Sequence, residues 1–371
     1  MSAEAVFVRT WTVGGGDFPY QAVLTAYRRW GKALVPDGLL DALCEARSQA
    51  TGTLLSFLDV LLDKRDGTYD YRSYLALPLL TPHFPDRDTL TVLLVADLMR
   101  FELAACDDPA GPLPVMPPDD ALVQKRLRHG LRVIRPALDR LGWAMPDTDA
   151  RTVWEMVDSK MSDDQRLMLR CSILPVDVVH DEYLFIRVLQ TFETSFAALV
   201  RDLESAAGAL TAGNAAAAEE ALHHAAALLR EVSPMWSVVA TMRVEAFRRF
   251  RQWTEGASAI QSRHYKLMES LARRPDPARL GSAAYENVPE VQALVMTGLP
   301  SVDEAYGTAR LTLAEHAAVG AAMADFAASV DAWRRTHYRL ATRMLGNDTG
   351  GTGYTNGTSY LAQAREIPVF K

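Results

Sequence analysis

Cysteine is scarce in this 371-residue chain, which contains only Cys44, Cys106 and Cys171. Three scattered thiols cannot build a disulfide framework, and they lack the paired spacing of a zinc site. The sequence C-x-x-C-H does not occur, which excludes covalent attachment of a haem through thioether bonds. This cysteine usage fits a reducing compartment, and we expect the protein to be cytoplasmic.

Positive charge and long apolar runs are also lacking. The formal net charge is -7, whereas a nucleic-acid groove needs clustered lysine and arginine on a basic domain. The local cluster of Arg248, Arg249 and Arg251 is typical of a solvated helix face. No segment reaches the roughly 20 apolar residues of a membrane span, and residues 1–4 do not open a signal peptide. We therefore expect no nucleic-acid partner, no membrane span and no secretion.

The composition allows a sizeable core, because 49% of the residues are hydrophobic and 23% are charged. Five prolines between residues 107 and 120 exclude regular helix there. We predict three regions: an N-terminal helical region at 1–106, a proline-rich linker with inserted helices at 107–179, and a helical core at 180–371.

Helical periodicity is strongest after His180. Apolar residues recur there at steps of three and four and define one helix face: Phe185, Leu189, Phe192, Phe196, Leu199 and Leu203. The run breaks at 211–214, and an alanine-rich helix is predicted at 215–230. A third helix is predicted to start at Ser233-Pro234 and to run to about Trp253.

Two capping boxes mark further helix starts, Ser258-x-x-Gln261 and Thr312-x-x-Glu315. The last helix is predicted to run from Thr312 to Leu345, about 50 Å, and to stop at Gly346. A Gly/Thr-rich segment follows, which we interpret as a mobile loop. The pattern predicts an all-α fold, a bundle of long helices with a divergent N-terminal region.

His337 is the first candidate for chemistry. It lies on the last predicted helix in an apolar stripe formed by Phe326, Val330, Trp333, Leu340, Ala341 and Met344. A neutral imidazole in such surroundings can ligate iron. The alternative is a core histidine bonded to a carbonyl, and periodicity alone favours that alternative.

Four groups of residues, spread over 180–361 with an island near 71–77, form a larger pattern. The first group is His180-Asp-Glu-Tyr-Leu-Phe-Ile186 with Gln190, Phe192, Glu193 and Phe196. The second is Phe247, Phe250 and Arg251, then Ala257-Ser258-Ala-Ile-Gln261-Ser262 and Glu269. The third is Trp333, His337, Gly346, Thr352-Gly353, Gly357 and Tyr360-Leu361. The fourth is Tyr71, Tyr74, Leu75 and Leu77. The first three groups follow one another along the chain, and the fourth precedes them. Together, in their order along the chain, they resemble the motifs of tryptophan 2,3-dioxygenases.

This resemblance implies a cofactor, haem b, held between the helices of the core, with His337 as the ligand of its iron and O2 as co-substrate. Arg251 would bind the carboxylate of an aromatic amino acid through its guanidinium fork. Thr352 would bind the substrate ammonium, and Phe185 would pack on its ring. The alternatives are a surface arginine, a tail without function and ordinary helix packing.

Three further residues are implied in the same way. Ser258 would approach the haem, or would only cap its helix. Tyr71 and Tyr74 resemble residues that enter the pocket from a neighbouring subunit, which implies a homo-oligomer, a dimer or a tetramer; an ordinary surface pair is the alternative.

Leu189 is the main departure from the family, because it stands where the family has a distal histidine. A leucine cannot hydrogen-bond an indole N–H. The resemblance predicts O2-dependent 2,3-cleavage of the indole of tryptophan, and Leu189 makes a tryptophan derivative a further candidate substrate. A haem-dependent monooxygenase that hydroxylates a tryptophan or tyrosine derivative in natural-product biosynthesis is the alternative. A non-catalytic haem-binding protein is a third hypothesis.

Overall fold

The computed structural model describes residues 2–108, 111, 113–143, 149–346, 350 and 357–371. Within these ranges the regular structure is helical, with no strand and one isolated parallel bridge between Val115 and Val179. The all-α prediction is confirmed. None of the helices in the described ranges combines the length and apolarity of a membrane span.

The α-helices follow one another along the chain. They are α1 (Ala3–Gly14), α2 (Tyr20–Trp30), α3 (Asp37–Arg47), α4 (Gly52–Asp66), α5 (Tyr71–Tyr74), α6 (Leu77–Leu80), α7 (Arg87–Asp107), α8 (Asp120–Leu141), α9 (Ala150–Asp158), α10 (Asp163–Cys171), α11 (His180–Thr211), α12 (Ala215–Val232), α13 (Met235–Val239), α14 (Val244–Arg251), α15 (Arg263–Ala272), α16 (Pro277–Leu280), α17 (Ala283–Glu286), α18 (Pro289–Met296), α19 (Val302–Thr308), α20 (Leu313–Leu345) and α21 (Thr358–Arg365). Short 3₁₀ helices lie at Lys32–Leu34 and Ala259–Gln261.

The chain divides into two compact units, the first formed by Met1–Gln190 and Ser237–Ala257 and the second by Thr191–Trp236 and Ser258–Lys371. The predicted three-region organisation remains a prediction. In the first unit, α7 packs against α8 and α9, and α1 packs against α3. The middle of α7 is buried on all sides, and it carries two buried carboxylates, Asp97 and Glu102. Such groups need partners, and those partners fix the start of α11, as shown below.

In the second unit, α12 packs along α20, and α20 also contacts α21. Small side chains let α12 approach its neighbour closely, because its buried face includes Ala215, Ala218, Ala225 and Ala226. At the exposed edge, Arg230 donates to Asp325 at 2.8 Å and to the Ser329 hydroxyl at 3.0 Å. The long helix that carries His337 is thereby tied to α12.

Several helix boundaries match the sequence prediction. Helix α11 ends at Thr211, α12 begins at Ala215, and α20 runs from Leu313 to Leu345. The Glu315 N–H donates to the Thr312 hydroxyl at 3.3 Å, and the Thr312 N–H donates to the Glu315 carboxylate at 2.8 Å. At the other end Gly346 adopts φ 84°, the left-handed region that favours glycine. The capping box and the terminal glycine are confirmed.

The predicted third helix, Ser233 to about Trp253, is wrong, because the structure breaks it into α13 and α14. The break at residues 240–243 satisfies tertiary hydrogen bonds. The Thr241 hydroxyl accepts from Arg126 Nε at 3.1 Å, and the Arg243 N–H donates to buried Asp181 at 2.9 Å. A continuous helix would have used that N–H internally. The Ser258 box also starts a 3₁₀ helix rather than an α-helix.

The proline-rich segment has no α-helix among its described residues, as predicted, since α7 ends at Asp107 and α8 begins at Asp120. Its later part is anchored to the start of α11. The Val115 N–H donates to the Val178 carbonyl at 3.2 Å, and the Val115 carbonyl accepts from the His180 N–H at 3.0 Å.

Candidate functional site

His337 lies on α20 within an aromatic cluster of the second unit, formed by Phe192, Phe196, Trp236, Tyr265 and Trp333. Its ring stacks on Trp236 with centroids 5.2 Å apart at 19°, and it lies 5.3 Å from Trp333. Trp236 contacts Phe192 at 4.7 Å and Trp333 at 5.1 Å. The predicted apolar surroundings of His337 are therefore aromatic on at least two sides.

These surroundings control the protonation of His337. Burial lowers the pKa of the imidazole from 6.5 to about 4, because the charged form loses its hydration. The ring nevertheless keeps part of its surface accessible. Among the described residues His337 has no hydrogen-bond partner, and its role as a metal ligand stays a prediction beside the alternative of a core histidine. At neutral pH a nitrogen lone pair is available to an added ligand.

Two indole N–H groups of the same cluster lack acceptors. Trp236 Nε1 and Trp333 Nε1 are buried, and neither finds a hydrogen-bond partner among the described residues. A buried donor without an acceptor costs about 1–3 kcal/mol. An acceptor atom placed beside either group would remove this cost.

A buried ionic network holds α20 beside α15. Glu269 accepts from Lys266 at 2.7 Å, Arg279 at 3.1 Å and Arg334 at 2.8 Å. Burial alone would raise the pKa of this carboxyl, but the three cations hold it well below its ordinary value. Arg334 also donates to the Tyr265 hydroxyl at 3.1 Å, and Tyr265 packs on Trp333 at 5.3 Å. The network therefore positions the aromatic cluster.

In the first unit the structure brings Phe185 to the helix that ends in Arg251. Phe185 contacts Phe250 at 5.4 Å and Phe247 at 5.7 Å, both on α14. Burial lowers the pKa of Arg251, whose side chain is only partly accessible. Along residues 180–190, Phe185 and Leu189 are the two that remain partly accessible, and they lie four residues apart on one face of α11. This shared face is where the resemblance places the substrate ring.

Tyr71 and Tyr74 are buried within their own chain, at 4% and 2% exposure. The Tyr74 hydroxyl donates to Glu182 at 3.3 Å, and Glu182 also accepts backbone N–H bonds from Val176 at 2.7 Å and Asp177 at 3.0 Å. Burial raises the pKa of Glu182 to about 8 despite these donors. The surface-pair alternative for the two tyrosines does not hold, and their role in a pocket stays a prediction.

The start of α11 is fixed by ion pairs that the sequence did not reveal. Arg187 donates to Asp97 at 2.6 Å, and Tyr183 donates to the same carboxylate. Burial would raise the pKa of Asp97, but Arg187 and Arg100 hold it well below its ordinary value. One signal in the sequence was the position of the acidic residue Asp97 in the apolar middle of α7.

A second buried group of ion pairs centres on Arg126, which donates to Glu102 at 2.9 Å and to Asp181 at 2.7 Å. These bonds and those of Arg187 orient the helix face that carries Phe185 and Leu189. The polar residues of the His180-Asp181-Glu182 motif are all buried, so in this chain they serve the fold.

The other predicted residues are placed as follows. Ser258 belongs to the second unit and precedes the 3₁₀ helix, where its N–H donates to Gln261 at 3.0 Å. Capping, one of its two predicted roles, is confirmed. Thr352 lies outside the described residues. His337 and Ser258 belong to the second unit, whereas Phe185, Leu189, Arg251 and both tyrosines belong to the first.

The fold and these features define a class: a helical protein with a largely neutral histidine set among aromatic rings. The family model for tryptophan 2,3-dioxygenase matches residues 164–292. That range contains Phe185, Leu189, Arg251 and Ser258.

Named relatives agree with the family model. A tryptophan 2,3-dioxygenase of Anaeromyxobacter sp. (strain K) is 27% identical over 224 residues, which cover 52% of this chain and 84% of the relative. One from Bradyrhizobium diazoefficiens is 27% identical over 235 residues, covering 53% and 83%. One from Ruegeria sp. (strain TM1040) is 32% identical over 120 residues, covering 32% and 42%. Over about half of its length, therefore, the chain is similar to tryptophan 2,3-dioxygenases.

Proposed function

We propose that this protein is a haem-dependent oxygenase that uses O2 to open the indole ring of tryptophan or a tryptophan derivative by 2,3-dioxygenation. The observation that carries the proposal is His337, a neutral, partly accessible imidazole in an aromatic cluster of a protein similar to this family.

The residues around His337 fit a haem. One imidazole is enough to hold iron when a porphyrin supplies the other ligands. Aromatic side chains suit the flat apolar faces of the macrocycle, and the unpartnered N–H groups of Trp236 and Trp333 are donors that suit its carboxylates. With haem bound, the iron would supply the activation of O2, a reaction that no amino-acid side chain performs.

His337 contributes its lone pair. Because the pKa is about 4, more than nine-tenths of the imidazole is neutral at pH 7, and coordination displaces no proton there. The bulky aromatic residues shield much of the ring from water and restrict its rotation. Ser258 would lie near the same cofactor, since it shares the unit with His337.

Substrate recognition is assigned to the first unit and to Thr352. Arg251 would hold the substrate carboxylate, a task for which its planar guanidinium is suited. Thr352 would bind the ammonium group. Phe185, packed on Phe247 and Phe250, would present a fixed apolar surface to the ring. Tyr71 and Tyr74 are further pocket candidates.

Leu189 sets the expected selectivity. Its side chain is partly accessible on the same face as Phe185, and it offers no acceptor for an indole N–H. We therefore expect that N-substituted indoles are accepted about as well as free indoles. The same observation favours the second candidate function, monooxygenation of a tryptophan or tyrosine derivative, because an open apolar face tolerates other rings.

Products formed under ¹⁸O₂ distinguish the two functions. The reduced protein is mixed with tryptophan, 1-methyltryptophan or tyrosine, and the products are analysed by mass spectrometry. Ring-opened product carrying two labelled atoms supports dioxygenation. Hydroxylated product with one labelled atom overturns it in favour of monooxygenation, and absence of turnover with all three substrates favours a non-catalytic haem protein.

We also propose a homo-oligomer, a dimer or a tetramer, and a cytoplasmic location. The family resemblance supports the first, and the three thiols, which form no disulfide in the structure, agree with the second. Light scattering after size-exclusion chromatography measures the mass directly, and a mass near that of one chain would contradict the oligomer.

A further inference from the structure

The first unit contains a cavity of about 170 Å³ that the proposed function does not use. Arginine and aromatic side chains dominate its lining, which includes Arg28, Arg100, Phe101, His180 and Tyr183. His180 and Tyr183 lie on the face of α11 opposite Phe185 and Leu189, because a helix turns about 100° per residue. The cavity is therefore separate from the predicted substrate face.

One wall of the cavity is aromatic and rigid. The Phe101 ring stacks on Tyr183 with centroids 3.8 Å apart at 4°, and it lies 4.5 Å from the His180 ring. Ala104, Ala105 and Leu113 add apolar surface. Because His180 and Tyr183 cover the two faces of Phe101, the apolar surface open to a ligand ring is that of Ala104, Ala105 and Leu113.

The other wall carries guanidinium groups. Arg100 is held in place by Asp97, at 2.9 Å, and by the Tyr183 hydroxyl, at 3.2 Å. Arg28 donates through Nη2 to the Arg170 carbonyl at 3.1 Å, but its Nε–H is buried and has no acceptor among the described residues. Burial lowers the pKa of Arg28, which means that its charge is poorly compensated.

Positive charge at the cavity comes from Arg28 and Arg100. Asp97 pairs with Arg100 and Arg187, whereas Arg28 forms no ion pair among the described residues. The carboxylate of the lining is Asp108, which is exposed. An anion placed here would meet the unpaired guanidinium group of Arg28.

We propose that this cavity binds a small aromatic carboxylate with a single ring. The carboxylate would accept from Arg28 Nε and from Arg100, and the ring would lie against Ala104, Ala105 and Leu113. The cavity volume agrees with a ligand of one ring, because a cavity of about 150 Å³ is sufficient for benzene. A guanidinium-carboxylate bond beside an apolar wall gives such a ligand both orientation and affinity.

Isothermal titration of the full-length protein with sodium benzoate tests the proposal. Arg28→Gln removes the unpartnered N–H and the charge, and Arg29→Gln, the exposed neighbour on α2, is the matched control. We expect wild type and Arg29→Gln to bind benzoate equally and Arg28→Gln to bind at least about 10-fold more weakly. Equal binding by all three proteins, or no binding by wild type at millimolar benzoate, overturns the proposal.

Two further measurements guard against misfolding and against binding elsewhere. Ala105→Phe fills the cavity without removing a charge, and it is expected to abolish benzoate binding while the circular dichroism spectrum stays unchanged. His337→Ala is expected to keep the wild-type affinity for benzoate. Loss of binding in His337→Ala with retention in Ala105→Phe would place benzoate at the proposed haem site and overturn the inference.

Discussion

Lowering the pH from 7.5 to 5 is expected to destabilise the haem-free protein through His337. The folded chain holds this imidazole at a pKa of about 4, whereas the ordinary value is 6.5. Below pH 6.5 the unfolded chain takes up a proton that the folded chain does not, so stability falls as the pH falls. The loss continues down to about pH 4, where the folded protein is protonated as well.

The size of this effect follows from the two pKa values. At pH 5 the unfolded imidazole is almost fully protonated and the folded one is mostly neutral, which corresponds to about 2 kcal/mol lost relative to pH 7.5. Because the ring keeps some accessible surface, we treat this value as an upper limit. Haem-free protein is the required sample, since coordination would itself keep the imidazole neutral.

Urea unfolding of wild type and His337→Gln at both pH values measures the effect. Other titrating groups contribute equally to both proteins, so they cancel in the difference. We expect wild type to lose up to about 2 kcal/mol more than the variant between pH 7.5 and 5. His316→Gln, an exposed position on the same helix, serves as control and should behave as wild type. Equal losses in wild type and His337→Gln would refute the burial argument.

Three other predictions concern single residues. Arg251→Lys should raise KM for tryptophan at least about 10-fold while haem content stays constant, and an unchanged KM would remove Arg251 from the carboxylate site. Leu189→His should raise the ratio of activity on tryptophan to activity on 1-methyltryptophan; an unchanged ratio would mean that this face does not contact the indole nitrogen. Glu269→Gln removes the carboxylate shared by buried Lys266 and Arg334 and by half-buried Arg279. It should destabilise the fold by about 3–5 kcal/mol in thermal unfolding, whereas exposed Glu290→Gln should not.

The long helices were predictable because their local signals agree with the packing. Capping groups, a terminal glycine and sustained periodicity all mark the limits of α20, and nothing elsewhere in the fold opposes them. The break between α13 and α14 was not predictable. It depends on Arg126 and Asp181, which are distant in sequence and reach the backbone only in the folded chain.

The candidate site also combines features that the sequence predicted with features that it did not. The apolar face around His337 followed from spacing, but its aromatic character on two sides depends on Trp236, which another helix supplies. The sequence did not predict that Arg187 and Arg126 are buried, because their carboxylate partners lie far along the chain. Sequence periodicity contains no information about such pairs.

The haem content of the purified protein tests the central claim most directly. Pyridine haemochrome spectra and iron analysis are compared for wild type, His337→Ala and His316→Ala after expression with sufficient haem. The account predicts about one haem per chain in wild type and His316→Ala, and little haem in His337→Ala. A full haem spectrum in His337→Ala, or a wild type that binds no haem, would contradict it.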